Sequence, residues 1–263
     1  MLETRAEKET GEEFVQNGYI IRPVSDPDAF MKIEDIFFKH IGLGDAVDQA
    51  ERENWFNQVH KTIDVNKLNE FRLKIIHGIN SEPKFRELYF SLAKPYLESL
   101  VGNELAMQLK INLSIQLPGD ESSLLPVHAD TWSGDSPFEA VVWVPLVDCY
   151  NTKTMYLLPP EKTHLLHQNF PRMAGKSSET LFEKISSQVE WLSVKRGQIL
   201  IFNQTLPHGN RVNNESETRW SMNCRFKSVF SPYADKKIGE FFEPITLKPL
   251  SKLAMSYTLP EIS

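Results

Sequence analysis

Only two cysteines, Cys149 and Cys224, occur in the 263-residue chain, both in apolar, strand-like surroundings and neither in a C-x-x-C pair. A reducing compartment fits, and a cysteine-zinc site does not. No apolar run approaches the roughly 20 residues that a membrane-spanning helix needs, so no membrane partner is expected. The start, Met1-Leu2-Glu3-Thr4-Arg5-Ala6-Glu7, lacks the apolar core of a signal peptide, which predicts a cytoplasmic protein. Lys and Arg nowhere cluster densely enough to track a phosphate backbone, and the formal net charge is −6, so nucleic acid is not expected as a partner either. Also missing are internal repeats, low-complexity tracts and any Pro/Gly/Ser-rich linker, and a single domain over 1–263 follows. With 41% hydrophobic and 11% aromatic residues the chain has ample material for a core.

Hydrophobic spacing changes along the chain. Asn17-Gly18 stops a first helix ahead of a short strand at 19–23. Residues 28–41 carry Phe30, Ile33, Ile36, Phe37 and Ile41 at helical spacing, ended by Gly42; 66–77 and 83–101 repeat the pattern, with Pro95 dividing or kinking the last. After Gly102 the period becomes two. In 109–117 every odd residue is aliphatic and every even one polar. Further strands are predicted at 139–146, 155–158, 189–194, 198–202 and 218–230, whereas His164 and His167 fall in a loop and short strand after Pro159-Pro160. Helices first and strands later give an α+β, mainly β chain: a helical support region over 1–102, a strand-built core over 103–230 and a C-terminal extension over 231–263.

Chemistry gathers on Leu125-Pro126-Val127-His128-Ala129-Asp130-Thr131-Trp132 and the distant Leu206-Pro207-His208-Gly209-Asn210. Two histidines and one carboxylate form the facial triad that suits ferrous iron, which keeps positions open for a co-substrate and dioxygen. A lone His-x-Asp arises often by chance and a lone His-Gly more often still; their order between β-type segments, ahead of Arg219-x-Ser221, is far less accidental. The even residues Lys110, Asn112, Ser114 and Gln116 either face water on a half-exposed sheet or, in a jelly roll, point into the barrel. The same alternation over 218–227 puts Arg219, Ser221, Asn223, Arg225 and Lys227 on one face and Trp220, Met222, Cys224 and Phe226 on the other. A guanidinium fork beside a hydroxyl is a natural receptor for a buried carboxylate. Arg219 is the first candidate for it, and Arg225 shares its face.

These residues resemble the iron(II)- and 2-oxoglutarate-dependent oxygenases, and within them the phytanoyl-CoA hydroxylase-like branch, over about residues 14–230. That family's fold is a double-stranded β-helix, a cupin-like jelly roll, with the N-terminal helical layer packed on one side. The resemblance implies metal ligands at His128, Asp130 and His208. It implies Fe(II), 2-oxoglutarate as co-substrate and dioxygen, with the far carboxylate of 2-oxoglutarate on Arg219 and Ser221 and with Asn112 and Gln116 beside it. Val142-Trp143-Val144-Pro145-Leu146-Val147-Asp148 is similar to the family's strand after the motif. Leu157-Leu158-Pro159-Pro160-Glu161-Lys162-Thr163-His164 stands in place of its Pro-Gly-Ser-His segment, with Pro160 where the family has glycine. The implied reaction is hydroxylation of a small molecule, with succinate and carbon dioxide released.

Two other functions fit a barrel with these histidines: a cupin-type isomerase or epimerase, which needs no carboxylate receptor at Arg219, and a catalytically silent binding protein. The substrate class expected is a small polar metabolite or sugar derivative, ahead of an acyl thioester or a carrier-bound amino acid. The tail around Phe241-Phe242-Glu243-Pro244 resembles that of oxygenases from bacterial surface-carbohydrate gene clusters. Segments 53–58 and 132–135 are candidates to line a polar pocket, and Trp132 stands either at the barrel mouth or packed under a lid.

Overall fold

Helix ends appear where the glycine stops predict them. In a computed structural model that describes residues 4–173 and 175–260, α1 (Arg5–Asn17) begins on a capping box between Thr4 and Glu7 and ends at Gly18, whose φ of 77° is left-handed. Met1, Leu2 and Glu3, part of the chain start read above, lie outside the described residues. β1 (Tyr19–Pro23) and α2 (Pro27–Ile41) follow, α2 being capped by Asp26 and stopped by Gly42. α3 (Arg52–Gln58) holds the 53–58 stretch, and α4 (Val65–Ser81) runs a turn beyond the expected end. The 83–101 pattern resolves into α5 (Phe85–Ser91) and α6 (Lys94–Leu100), with Pro95 in the first turn of the second helix.

The strands are β2 (Leu105–Gln108), β3 (Asn112–Gln116), β4 (Glu139–Pro145), β5 (Tyr156–Leu157), β6 (Glu190–Trp191), β7 (Gln198–Asn203), β8 (His208–Gly209), β9 (Arg219–Ser228) and β10 (Phe242–Pro244). They form two antiparallel sheets. The larger is ordered β1-β7-β4-β9-β2-β10 with β3 beside β9, and the smaller is ordered β6-β5-β8. This is a double-stranded β-helix, or jelly roll, with helices packed on the outer face of the larger sheet. Both edges of that sheet come from outside 103–230: β1 pairs with β7 and β10 with β2. No helix among the described residues is long and apolar enough to cross a membrane.

Three local readings are corrected. The alternation over 109–117 does not make one strand. The backbone N–H and C=O of Ile111 are taken by the Asn80 side chain of α4, at 2.8 and 2.9 Å, which breaks the ladder and leaves Lys110 exposed in a bend. β2 precedes that break and β3 follows it, both along the same edge of β9. Second, His164 and His167 sit on α7 (Pro160–Asn169), because Pro160 occupies the first helical turn, where a missing N–H costs nothing. Third, α8 (Ser178–Ile185), capped by Ser177, lies where no element is predicted.

β9 joins the layers. Trp220, Met222, Cys224 and Phe226 are fully buried against the helices. The Trp220 ring lies 4.9 Å from Phe56 and 6.3 Å from Phe37, and its indole N–H donates to the Phe56 carbonyl at 3.0 Å. The other face of β9 looks into a cavity between the sheets. Trp220→Ala removes the centre of this aromatic cluster, and a loss of about 3–5 kcal/mol is expected, read as a lowered denaturation midpoint with unchanged slope in urea.

Candidate metal centre

His128 and His208 meet across a two-residue antiparallel bridge: each backbone N–H donates to the other's carbonyl, at 3.0 and 2.8 Å. Asp130 is held next to them by its N–H on the Gln204 carbonyl at 3.1 Å. One potential ligand atom from each of the three residues lies within 4.8 Å of the others. Both imidazoles are oriented the same way. Nδ1 of His128 lies 2.9 Å from the Pro126 carbonyl and Nδ1 of His208 2.9 Å from the Leu206 carbonyl. A carbonyl can only accept, so Nδ1 carries a proton in each ring, and in the neutral imidazole Nε2 is the atom left with a lone pair for a metal. The chain crosses closely here: a Cβ on Gly209 would come within 2.7 Å of both the Leu125 carbonyl and the Tyr156 hydroxyl.

Charge inside the cluster is arranged around Asp130. Burial opposes its ionisation, but the hydrogen bond from His128 and the nearby charges of His208 and Arg225 outweigh it and hold the carboxyl well below the usual range. Arg225 Nη2 pairs with Asp130 Oδ2 at 2.9 Å, while Asp130 Oδ1 lies 3.4 Å from His128 Nε2. Burial likewise works against the His128 cation, yet the Asp130 and Pro126 acceptors prevail and its pKa is raised. Burial and the charge of His128 push His208 down to about 4.

The triad opens into a cavity of about 690 Å³ lined by both polar and apolar side chains. Arg219 and Arg225 both reach it and differ in their partners. Arg225 is occupied by Asp130 and by the Gln204 and Gln108 side chains. Arg219, 4% exposed, donates to the Thr154 carbonyl at 3.1 Å and to Ser114 Oγ at 3.0 Å, and its Nε is buried with no partner. No carboxylate pairs with it among the described residues, and burial lowers its pKa to about 10. A buried guanidinium lacking an anion is costly to leave so and ready to take one.

Other sequence candidates fall differently. Asn112 lines the cavity, its Nδ2 donating to Asn223 Oδ1 at 2.9 Å. Ser221 is buried directly opposite Ser114 but does not line the cavity, and Ser114 provides the hydroxyl at Arg219. Gln116 does not line it either, because its amide donates to the Arg211 carbonyl at 2.8 Å and fastens the segment after β8. Neither candidate pocket segment lines the cavity. Phe56 belongs to the aromatic core, Asp135 is paired with Lys236 at 2.6 Å, and the Trp132 ring packs 4.9 Å from Phe170. Sequence reasoning missed Arg72 and Asn69 of α4, Ser122, Ser123 and Asn210, all of which line the cavity. Only the helical period of 66–77 pointed to that face of α4, and nothing pointed to its neighbour.

No family model matches the chain, and no curated protein does. Solved structures do. EctD from S. alaskensis with 2-oxoglutarate and 5-hydroxyectoine is 16% identical over 88% of this chain and 78% of its own, with a TM-score of 0.55. HygX from Streptomyces hygroscopicus with nickel and 2-oxoglutarate bound is 14% identical over 89% and 90%, with a TM-score of 0.54. The non-heme monooxygenase ThoJ in its nickel complex is 17% identical over 91% and 84%, with a TM-score of 0.51. The chain has the fold of these proteins.

Metal uptake should depend on pH through His128. Its raised pKa means that, as pH falls through a value above 6.5, Nε2 takes a proton and metal must displace it, so nickel affinity drops; Asp130, ionised to far lower pH, does not limit. Calorimetric nickel titrations in buffers of different ionisation enthalpy should show the released proton on the acid side and none on the alkaline side. Trp132→Ala should lower the melting temperature and leave 2-oxoglutarate affinity unchanged, because the ring packs on Phe170 outside the cavity; a thermal shift beside a 2-oxoglutarate titration checks it.

Proposed function

We propose that the protein is an iron(II)- and 2-oxoglutarate-dependent oxygenase that hydroxylates a small polar metabolite or sugar derivative, releasing succinate and carbon dioxide. The observation carrying this reading is that one cavity contains both a His-Asp-His set whose ligand atoms lie within 4.8 Å of one another and a buried arginine with no acidic partner. The donor set fits ferrous iron: two neutral imidazoles and one carboxylate of lowered pKa. His128, Asp130 and His208 would hold the metal. Arg219 and Ser114 would receive the far carboxylate of 2-oxoglutarate, with Asn112 on the same wall. EctD and HygX, solved with 2-oxoglutarate, support the same co-substrate.

When bound, iron and 2-oxoglutarate supply with dioxygen the oxidising power that no side chain has. The chain's own work is placement. The Pro126 and Leu206 carbonyls orient the imidazoles, and Arg225 pairs with Asp130 Oδ2, so that His128, His208 and the Asp130 carboxylate would hold the metal. Val141, Trp143, Met155 and Phe202 give the cavity an apolar wall that excludes water from the reacting centre. The same reading puts the enzyme in the cytoplasm, with Cys149 and Cys224 buried as free thiols.

His128→Ala, Asp130→Ala and His208→Ala should each abolish succinate release. Arg219→Lys keeps charge and loses the fork, so the KM for 2-oxoglutarate should rise about tenfold or more. Arg225→Lys should leave that KM near the wild-type value and weaken iron binding, since an ammonium cannot span Asp130, Gln204 and Gln108 together. Succinate assays with iron titrations separate the effects. Absence of succinate from the iron-loaded wild type across nucleotide sugars, acyl thioesters and amino acids, with no uptake of 2-oxoglutarate, would overturn the proposal and favour an isomerase or a binding protein.

A further inference from the structure

α4 brings to the same cavity a second arginine without an acid. Arg72 is half-buried at the cavity wall, and its Nη2 donates to Asn69 Oδ1 at 2.8 Å, one turn earlier. No ion pair reaches it among the described residues. An arginine on an outer helix face is ordinarily a solvated charge; this one, though its hydrogen bond to Asn69 is exposed, lines the same cavity as the metal ligands.

The charge balance of the cavity gives Arg72 meaning. The lining carries the guanidiniums of Arg72, Arg219 and Arg225 and a single carboxylate, Asp130. Arg225 and Asp130 neutralise one another at 2.9 Å. On the function proposed above, a divalent metal and a dianionic co-substrate cancel in formal charge, so the side chains lining the loaded cavity keep two positive charges in excess, with the buried Asp120 carboxylate, bonded to the lining Ser122 and Ser123, a further acid. Low-dielectric walls strengthen that excess and draw in an anion. On the 122–125 loop, which also lines the cavity, Ser122 and Ser123 donate their hydroxyl protons to the Asp120 carboxylate, each at 2.6 Å. Their oxygens are left as acceptors, suited to a hydroxyl on the same ligand.

We propose that the substrate is a hydroxylated small molecule carrying a carboxylate or phosphate, and that Arg72 together with Asn69 receives this oxyanion in the cavity that the metal ligands line. This rests on the function proposed above. It adds that Arg72 is a specificity-determining residue and that neutral molecules of similar shape bind weakly. A bidentate, charge-assisted contact in a partly desolvated site is the interaction a neutral isostere forfeits.

The test uses the full chain loaded with nickel(II) and saturated with 2-oxoglutarate under nitrogen, so that Arg219 is occupied and no turnover occurs. Glycerol 3-phosphate, glycerate and glycerol are titrated by calorimetry. At least one of the two anions should bind about tenfold or more tighter than glycerol, and the stronger of the two identifies the oxyanion as phosphate or carboxylate. Arg72→Met should remove the preference, and Arg72→Lys should keep part of it. Nickel and 2-oxoglutarate affinities of each variant, measured alongside, serve as the folding control. Anions no better than glycerol, or an undiminished preference in Arg72→Met, would overturn the inference. A wild type that takes up neither nickel nor 2-oxoglutarate strikes the proposed function instead.

Discussion

The site depends on the short antiparallel bridge between His128 and His208. Two backbone hydrogen bonds, at 3.0 and 2.8 Å, place the imidazoles of two sequence-distant segments beside each other, with ring centroids 4.4 Å apart. Each ring is then locked by a carbonyl two residues earlier in its own chain, so the peptide geometry that forms the bridge also sets the tautomer. Segments on either side are tied down as well: Asn210 accepts from the Leu125 N–H through Oδ1 and donates to the Ser123 carbonyl through Nδ2. Loop 122–125 is therefore a cavity wall built on the second ligand strand.

Around this bridge, charges are arranged so that one arginine is consumed and another is free. Arg225 meets Asp130. Asp135, also near Arg225, is neutralised by Lys236 from the C-terminal segment. That segment also supplies β10 and Asp235, whose N–H donates to the Gly134 carbonyl at 3.2 Å. It thus supports the metal side of the cavity from outside the strands that carry the ligands. At the other end of β9, Arg219 finds only neutral acceptors. Removing charged groups from water is expensive, and a buried guanidinium with no acidic partner is suited to take up a ligand's charge.

β9 shows how one strand serves both layers. Its even-numbered residues lock the helices to the sheet through Trp220, and its odd-numbered ones furnish Arg219, Asn223 and Arg225 to the cavity. Register carries the burden. A slip by one residue would exchange an aromatic core for guanidiniums, at a cost in buried charge that makes such a slip prohibitive.

How much of this was legible varied with the range of the interaction. Alternation over 218–227 determined the two faces of β9 by itself, since side chains on an extended chain must alternate. The glycine stops after α1 and α2 were equally local. Residue type and order drew attention to His128, Asp130, His208 and Arg219, and the tertiary structure brings them to one cavity. What it decided alone was every matter of partnership. Asn80 capturing Ile111 broke a strand whose alternation looked continuous. Ser114 rather than Ser221 meets Arg219, and Gln116 turns to the Arg211 carbonyl. Arg225 was distinguished from Arg219 only by Asp130 standing beside it, and Arg72 reached the cavity only because α4 packs along β3. Period and spacing constrain the face a side chain occupies, but whether its charge is paired depends on groups brought near from distant parts of the chain.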